Sequence, residues 1–182
     1  MRKQVITGVM VVIWGVMLAV VPASAEMNGY AVLKGGYFSP TSGGFENESM
    51  NGNTYWEVAG GVDWRLFGAE LGVGYLQAQN SQVDVYAIPV ILSGKLQFPI
   101  AFFVPYLKAG GGAYFFDGSS RTGRGSDSTV AWGYQGGSGI AFRLGALILG
   151  VEVNYMAVDA GLKMGDVKLE GIVTTGNIGF RF

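Results

Sequence analysis

Stretches near 29–38, 54–66, 69–77, 84–98, 105–116, 131–144, 147–158 and 170–182 alternate apolar and polar side chains residue by residue. Period-2 alternation marks a strand with one apolar and one polar face. In 54–66, Trp56, Val58, Gly60, Val62, Trp64 and Leu66 share one face, against Tyr55, Glu57, Ala59, Gly61, Asp63 and Arg65. The last stretch ends in GNIGFRF, with Ile178, Phe180 and Phe182 opposed to Asn177, Gly179 and Arg181. A strand with nothing after it must still cover its edges, and an even set of strands does so by pairing last with first in a closed barrel.

Residues 1–25 carry Arg2 and Lys3, a mostly apolar stretch from Val5 to Val21, then Pro22 and Ala23-Ser24-Ala25. A basic start, an apolar middle and a small-x-small site are the three parts of a secretory signal peptide. Cleavage after Ala25 is expected to leave a single domain, 26–182, starting at Glu26. An uncleaved anchor is the alternative, but the apolar segment is short for a spanning helix. Removing it takes two of 12 basic side chains and none of 13 acidic ones, so the mature formal charge is −3. No basic field is present to hold nucleic acid. Cysteine is absent, so no disulfide staples an exported fold.

After residue 25 no apolar run approaches the ~18–20 residues of a transmembrane helix. Yet the chain is 49% hydrophobic and only 14% charged, with 31 Gly, 4 Trp, 9 Tyr and 11 Phe. Soluble proteins carry about 25% charged residues. A membrane-embedded chain without helices has one remaining way to pair every backbone group, a closed barrel. The connections agree: Phe67-Gly68, Pro99 to Val104, and Gly145-Ala146 are short, whereas 39–53, 117–130 and 159–169 are long, polar and Gly-rich, and only Gln79–Gln82 breaks the pattern. Short periplasmic turns and long outer loops characterise outer-membrane barrels. Opposed residues in a hairpin share a face, and the two tightest turns satisfy this by setting Arg65 opposite Glu70 and Gly139 opposite Glu152.

A soluble barrel such as a lipocalin would also alternate, but its polar face would be dense with Lys, Glu, Ser and Thr. Here that face holds one or two charges per strand among Gly61, Gly72, Gly74, Gly110, Gly112, Gly137 and Gly139. Small residues suit a crowded interior, because eight strands leave room only for side chains. The other face carries Trp56, Trp64, Tyr75, Phe98, Tyr155 and Phe182, many near strand ends where aromatic girdles sit. The expected fold is all-β, an eight-stranded antiparallel up-and-down transmembrane β-barrel.

IPVILSGKLQF and VPYLKAGGGAYF, within Ala87 to Phe116, resemble the middle strands of the OmpA-like and opacity-protein superfamily of small eight-stranded outer-membrane barrels, which includes OmpX- and OmpW-like proteins. The ending resembles the signal that the outer-membrane assembly machinery reads in such proteins, which implies that role for Ile178, Phe180 and Phe182. The resemblance implies a Gram-negative outer-membrane location and contact with lipid and lipopolysaccharide. No peptidoglycan-binding domain follows Phe182, unlike in the full-length OmpA type, so a cell-wall tether is not expected.

Facing inward on this reading are Lys34, Glu57, Asp63, Arg65, Glu70, Lys95, Lys108, Arg143, Glu152 and Arg181. Buried charges persist only when paired and hydrogen-bonded, so these ten should form a network, either a structural plug or, as proposed for similar OmpA-like barrels, a gate. A symmetric 99–104 connection sets Lys95 opposite Lys108, and Glu70 or Glu152 is expected to reach that pair.

The chain has no histidine and no cysteine. His-based acid/base or triad chemistry and thiol nucleophiles are therefore excluded, as are the usual zinc ligands. Lipid A acyltransferase and deacylase barrels resemble this chain in size and strand number, but rely on a histidine. No enzymatic activity, cofactor or metal is expected. Arg121 and Arg124, in 117–130, suit phosphates of lipopolysaccharide, although a solvated loop explains the same composition. Asn47-Glu48-Ser49 matches a glycosylation acceptor that a bacterial origin would make incidental. Asp159, Lys163, Asp166 and Lys168 mix signs and suggest no single ligand. The expected role is that of a monomeric structural or surface-interaction barrel acting through its outer loops. The alternative is a narrow channel for small solutes, or for hydrophobic molecules as suggested for OmpW-like barrels.

Mass spectrometry of the exported protein should place its first residue at Glu26, and the folded protein should migrate differently on gels before and after boiling. An unprocessed N-terminus, or recovery in the soluble periplasmic fraction, would count against these expectations.

Overall fold

A computed structural model describes residues 27–41, 54–79, 83–120, 126–162 and 165–182. The signal-peptide and cleavage expectations (Ala23, Ala25 and Glu26) lie outside the described residues, as do Asn47-Glu48-Ser49, Arg121, Arg124 and Lys163. The strands are β1 (Met27–Pro40), β2 (Thr54–Trp64), β3 (Phe67–Gln79), β4 (Val83–Gln97), β5 (Phe103–Ser120), β6 (Ser126–Leu144), β7 (Leu147–Leu162) and β8 (Gly165–Arg181). Each pairs antiparallel with its neighbours in sequence, and β8 pairs with β1 to close the barrel.

Register fixes the size of the enclosed space. Paired residues followed once around the wall run Tyr30, Gly61, Glu70, Ser93, Gly110, Gln135, Met156 and Gly171, and return to β1 at Pro40, ten positions beyond Tyr30. For eight strands, that stagger corresponds to a strand tilt of about 40° and a backbone radius of about 8 Å. Side chains fill such an interior.

Outward positions are apolar and exposed. Trp132 is 75% exposed and Phe142 38%, ten positions apart on β6. This is about 33 Å along the strand and about 25 Å along the barrel axis, the height of the apolar band in outer-membrane barrels. Trp56, Tyr75, Phe115, Tyr134 and Tyr155 ring the end with longer strands, while Trp64, Phe67, Phe98, Phe102, Phe180 and Phe182 ring the short-turn end. Such a surface suits lipid rather than water.

Two expectations about connections are corrected. The β2–β3 turn is Arg65-Leu66, not Phe67-Gly68, so Trp64 faces Phe67 and Glu70 lies opposite Gly61 instead of Arg65. Gly68 serves the interior: a Cβ there would lie 2.7 Å from Asp63 Oδ1 and 3.1 Å from Gln97 Nε2. The stretches 117–130 and 159–169 are largely strand, because β5 runs to Ser120, β6 begins at Ser126, β7 runs to Leu162 and β8 begins at Gly165. The hydropathy alternation lapses in these stretches while the hydrogen-bond ladder continues. By contrast, Gly139 lies opposite Glu152, as the tight turn at Gly145-Ala146 requires.

The three short turns share one backbone device. Their first central residues, Arg65, Ala101 and Gly145, have φ of 50°, 56° and 65°. A positive φ at that position belongs to the hairpin turns that match strand twist, and glycine adopts it without a steric cost. Replacing Ala101 with Gly should therefore raise stability by about 0.5–1 kcal/mol, and Gly145→Ala should lower it by about 1 kcal/mol. Urea midpoints in detergent, compared at an unchanged slope, check both signs.

Candidate functional site

The interior has three levels, set by how far each inward residue lies along its strand. Nearest the short turns are Asp63 on β2, Gln97 on β4, Arg143 on β6 and Arg181 on β8. Asp63 is engaged at both oxygens: Oδ1 accepts from Gln97 Nε2 at 2.7 Å and Oδ2 from Arg143 Nη2 at 2.7 Å. Arg143 Nη2 also donates to Gln97 Oε1, which closes a three-residue ring.

Above this ring sit three lysines and three glutamates, Lys34, Lys95, Lys108, Glu57, Glu70 and Glu152. Lys34 Nζ lies 2.8 Å from Glu57 Oε1, 2.6 Å from Glu70 Oε1 and 3.4 Å from Glu152 Oε1. Lys95 lies opposite Lys108 in the ladder. Glu70 contacts both, through Oε2 to Lys95 and through Oε1 at 3.4 Å to Lys108. Glu152 Oε1 approaches Lys108 Nζ at 2.5 Å. The charges balance, as buried charges must when the effective desolvation penalty is several kcal/mol per ion.

Polar neighbours occupy the remaining lone pairs. The Tyr30 hydroxyl donates to Glu70 Oε2 at 3.0 Å and accepts from Lys95 at 2.8 Å, and the Tyr106 hydroxyl donates to Glu152 Oε2 at 2.7 Å. The Tyr55 hydroxyl donates to Glu57, and Asn154 Nδ2 to Glu152 Oε1 at 2.5 Å. Lys95 also stands 4.7 Å from the Tyr30 ring centre and 5.1 Å from that of Tyr106, within cation–π range. A cavity of about 40 Å³ lies among Tyr30, Lys34, Glu70, Lys95 and Arg143. That space suits a few waters.

The third level is apolar. Phe38, Leu76, Tyr114, Phe116, Met156 and Val158 belong to one buried cluster, and the Tyr114 and Phe116 rings stack at 6.4 Å. These residues lie farther along their strands than the charges, toward the longer-strand end. They fill the bore above the lysines.

Nine of the ten expected lumen residues thus line the interior or its short-turn mouth from the inward face. Arg65 is the correction: it occupies the turn itself and is exposed at the rim, because the β2–β3 hairpin tightens earlier than expected. Ile178, Phe180 and Phe182 face outward and are 50%, 62% and 59% exposed. The sequence reading missed the tyrosine partners and the apolar level. The signal for the apolar level was a loss of alternation in stretches such as YAIPVIL and AYFF, where both faces become apolar.

No protein-family model and no curated protein matches the chain. Solved structures do. Neisserial surface protein A shares 12% identity, with 86% of this chain and 96% of that chain covered and a TM-score of 0.58. The chain has the fold of the small outer-membrane barrels. Ail, the attachment invasion locus protein of Yersinia pestis, is also similar, at 12% identity over 87% of this chain and 100% of that chain with a TM-score of 0.55. A major outer membrane protein from Thermus thermophilus gives 13%, 86%, 99% and 0.55 in the same terms. In this fold the aromatic rings lie on the outer face and the charge network is enclosed.

Glu70 meets all three lysines, so its loss exposes the most charge. Glu70→Gln should destabilise the barrel by about 3–5 kcal/mol, and adding Lys95→Met should recover part of that loss. Urea unfolding of the single and double variants checks this. A Glu70→Gln barrel within about 1 kcal/mol of the parent, the worth of an exposed pair, would contradict the network's importance.

Proposed function

We propose that this protein is an integral outer-membrane barrel of a Gram-negative envelope, exported by a cleaved signal peptide, with a structural or surface-interaction role and no enzymatic activity. The observation that carries this reading is the closed bore: a balanced charge network capped by an apolar cluster. An ion crossing it would have to shed its water beside Phe38, Leu76 and Phe116, which offer no polar replacement. A channel is the second reading, and it requires the cap to move.

With the bore filled, the connections at the longer-strand end are the parts placed to meet ligands on the outer side. Arg121 and Arg124 suit phosphate or sulfate groups, and their natural targets are anionic groups of lipopolysaccharide or of a host surface. Ail, similar in fold, has been crystallised with the heparin analogue sucrose octasulfate, which supports a polyanion as the class to test. Ile178, Phe180 and Phe182, outward and exposed, are the residues through which the assembly machinery recognises the chain. The barrel works as a monomer.

The purified barrel should leave a planar bilayer silent. Tyr114→Ala combined with Phe116→Ala should open discrete conductance, whereas Glu70→Gln alone should not, because the cap remains above it. In parallel, Arg121→Ser with Arg124→Ser should weaken binding to lipopolysaccharide about tenfold, the loss of roughly 1.4 kcal/mol. Openings in the parent barrel, altered by neutralising Lys95 or Glu152, would favour the channel.

A further inference from the structure

The short-turn mouth opens into a bowl of about 630 Å³, lined among others by Asn28, Asp63, Arg65, Arg143 and Arg181. Among the described residues that line it, Arg65, Arg143 and Arg181 carry guanidinium groups and Asp63 carries the carboxylate. That carboxylate is already committed, with one oxygen taken by Gln97 and the other by Arg143. Arg143 and Arg181 each keep a buried Nε–H with no hydrogen-bond partner. Buried unpaired donors are rare in folded proteins and call for a physical explanation. The level above supplies none, because its three lysines and three glutamates balance one another.

We propose that this bowl binds a multi-oxygen anion of the phosphate or carboxylate class, held by the guanidinium groups of Arg143 and Arg181 with Arg65 at the rim. Guanidinium groups match such anions through paired, directional N–H donors. Arg143 is already oriented by Asp63 and Gln97, and the Arg181 backbone is anchored by its N–H donating to Ala146 O at 2.8 Å while its Nε is buried. For Arg143 part of the ordering cost of binding is thus already met. The level above is balanced, so excess positive charge is confined to the mouth and draws an anion no deeper than the Asp63 ring. The site is distinct from the outer connections and does not depend on their ligand.

The anion could be free in solution or the headgroup of a neighbouring lipid, and two arms of one experiment separate these sources. The full chain, ¹⁵N-labelled and refolded in maltoside micelles, is titrated with inorganic pyrophosphate while the arginine Nε–H resonances are followed. The same resonances are then compared in nanodiscs with and without phosphatidylglycerol. Shifts of the Arg143 and Arg181 signals are expected in at least one arm, and the arm that responds names the source. Arg181→Gln should weaken the response about tenfold, with the fold verified by heat-modifiable migration; Arg65→Gln, in an exposed turn, gives a second variant with a smaller loss. No shift in either arm, an equal response to chloride at matched ionic strength, or undiminished binding by both variants would overturn the site.

Discussion

Every backbone N–H and C=O that crosses lipid must find a partner within the protein, and for strands this means closure. Most of the rest follows from how this chain closes. The ten-residue stagger around eight strands sets the tilt, the tilt sets the radius, and the radius leaves a bore that side chains fill. A filled bore cannot be polar without being paired. The charges inside are therefore a consequence of the wall's geometry as much as of any activity.

The two fillings of the bore do different work. Replacing a buried ion pair with well-packed apolar residues is often neutral or stabilising, so stability alone does not account for lysines and glutamates in the half nearer the short turns. The apolar half shows that this sequence packs a bore with Phe38, Leu76 and Met156 where charge is not used. Below the ionic level the balance ends, and guanidinium groups outnumber carboxylates at the rim. The interior thus grades from basic mouth, through neutral network, to a largely apolar cap.

The wall was legible in the sequence because lipid imposes a strict rule on alternate residues. Trp56 and Trp64 outward, with Glu57 and Asp63 inward, follow from parity alone. Parity also set Lys95 against Lys108, since it needed only one symmetric turn. It failed where the rule relaxes. The Arg65-Leu66 turn was hidden because a nearby glycine was the more obvious turn residue, although Gly68 makes room beside Asp63. The cap was hidden because an apolar interior against an apolar exterior has no alternation to detect. Likewise Tyr30 and Tyr106 read as strand formers, and only the folded arrangement shows their hydroxyls completing Glu70 and Glu152.

The six charges of the central network come from six different strands: Lys34 from β1, Glu57 from β2, Glu70 from β3, Lys95 from β4, Lys108 from β5 and Glu152 from β7. Alternation rejects a strand that slips by one residue, since every side chain would change face. It is blind to a slip of two. Such a slip would carry a charge about 7 Å along its strand and about 5 Å along the bore, away from its partners and toward the cap or the mouth. The network therefore acts as a proofreading device for strand alignment, detecting the misregistered barrels that hydropathy would accept.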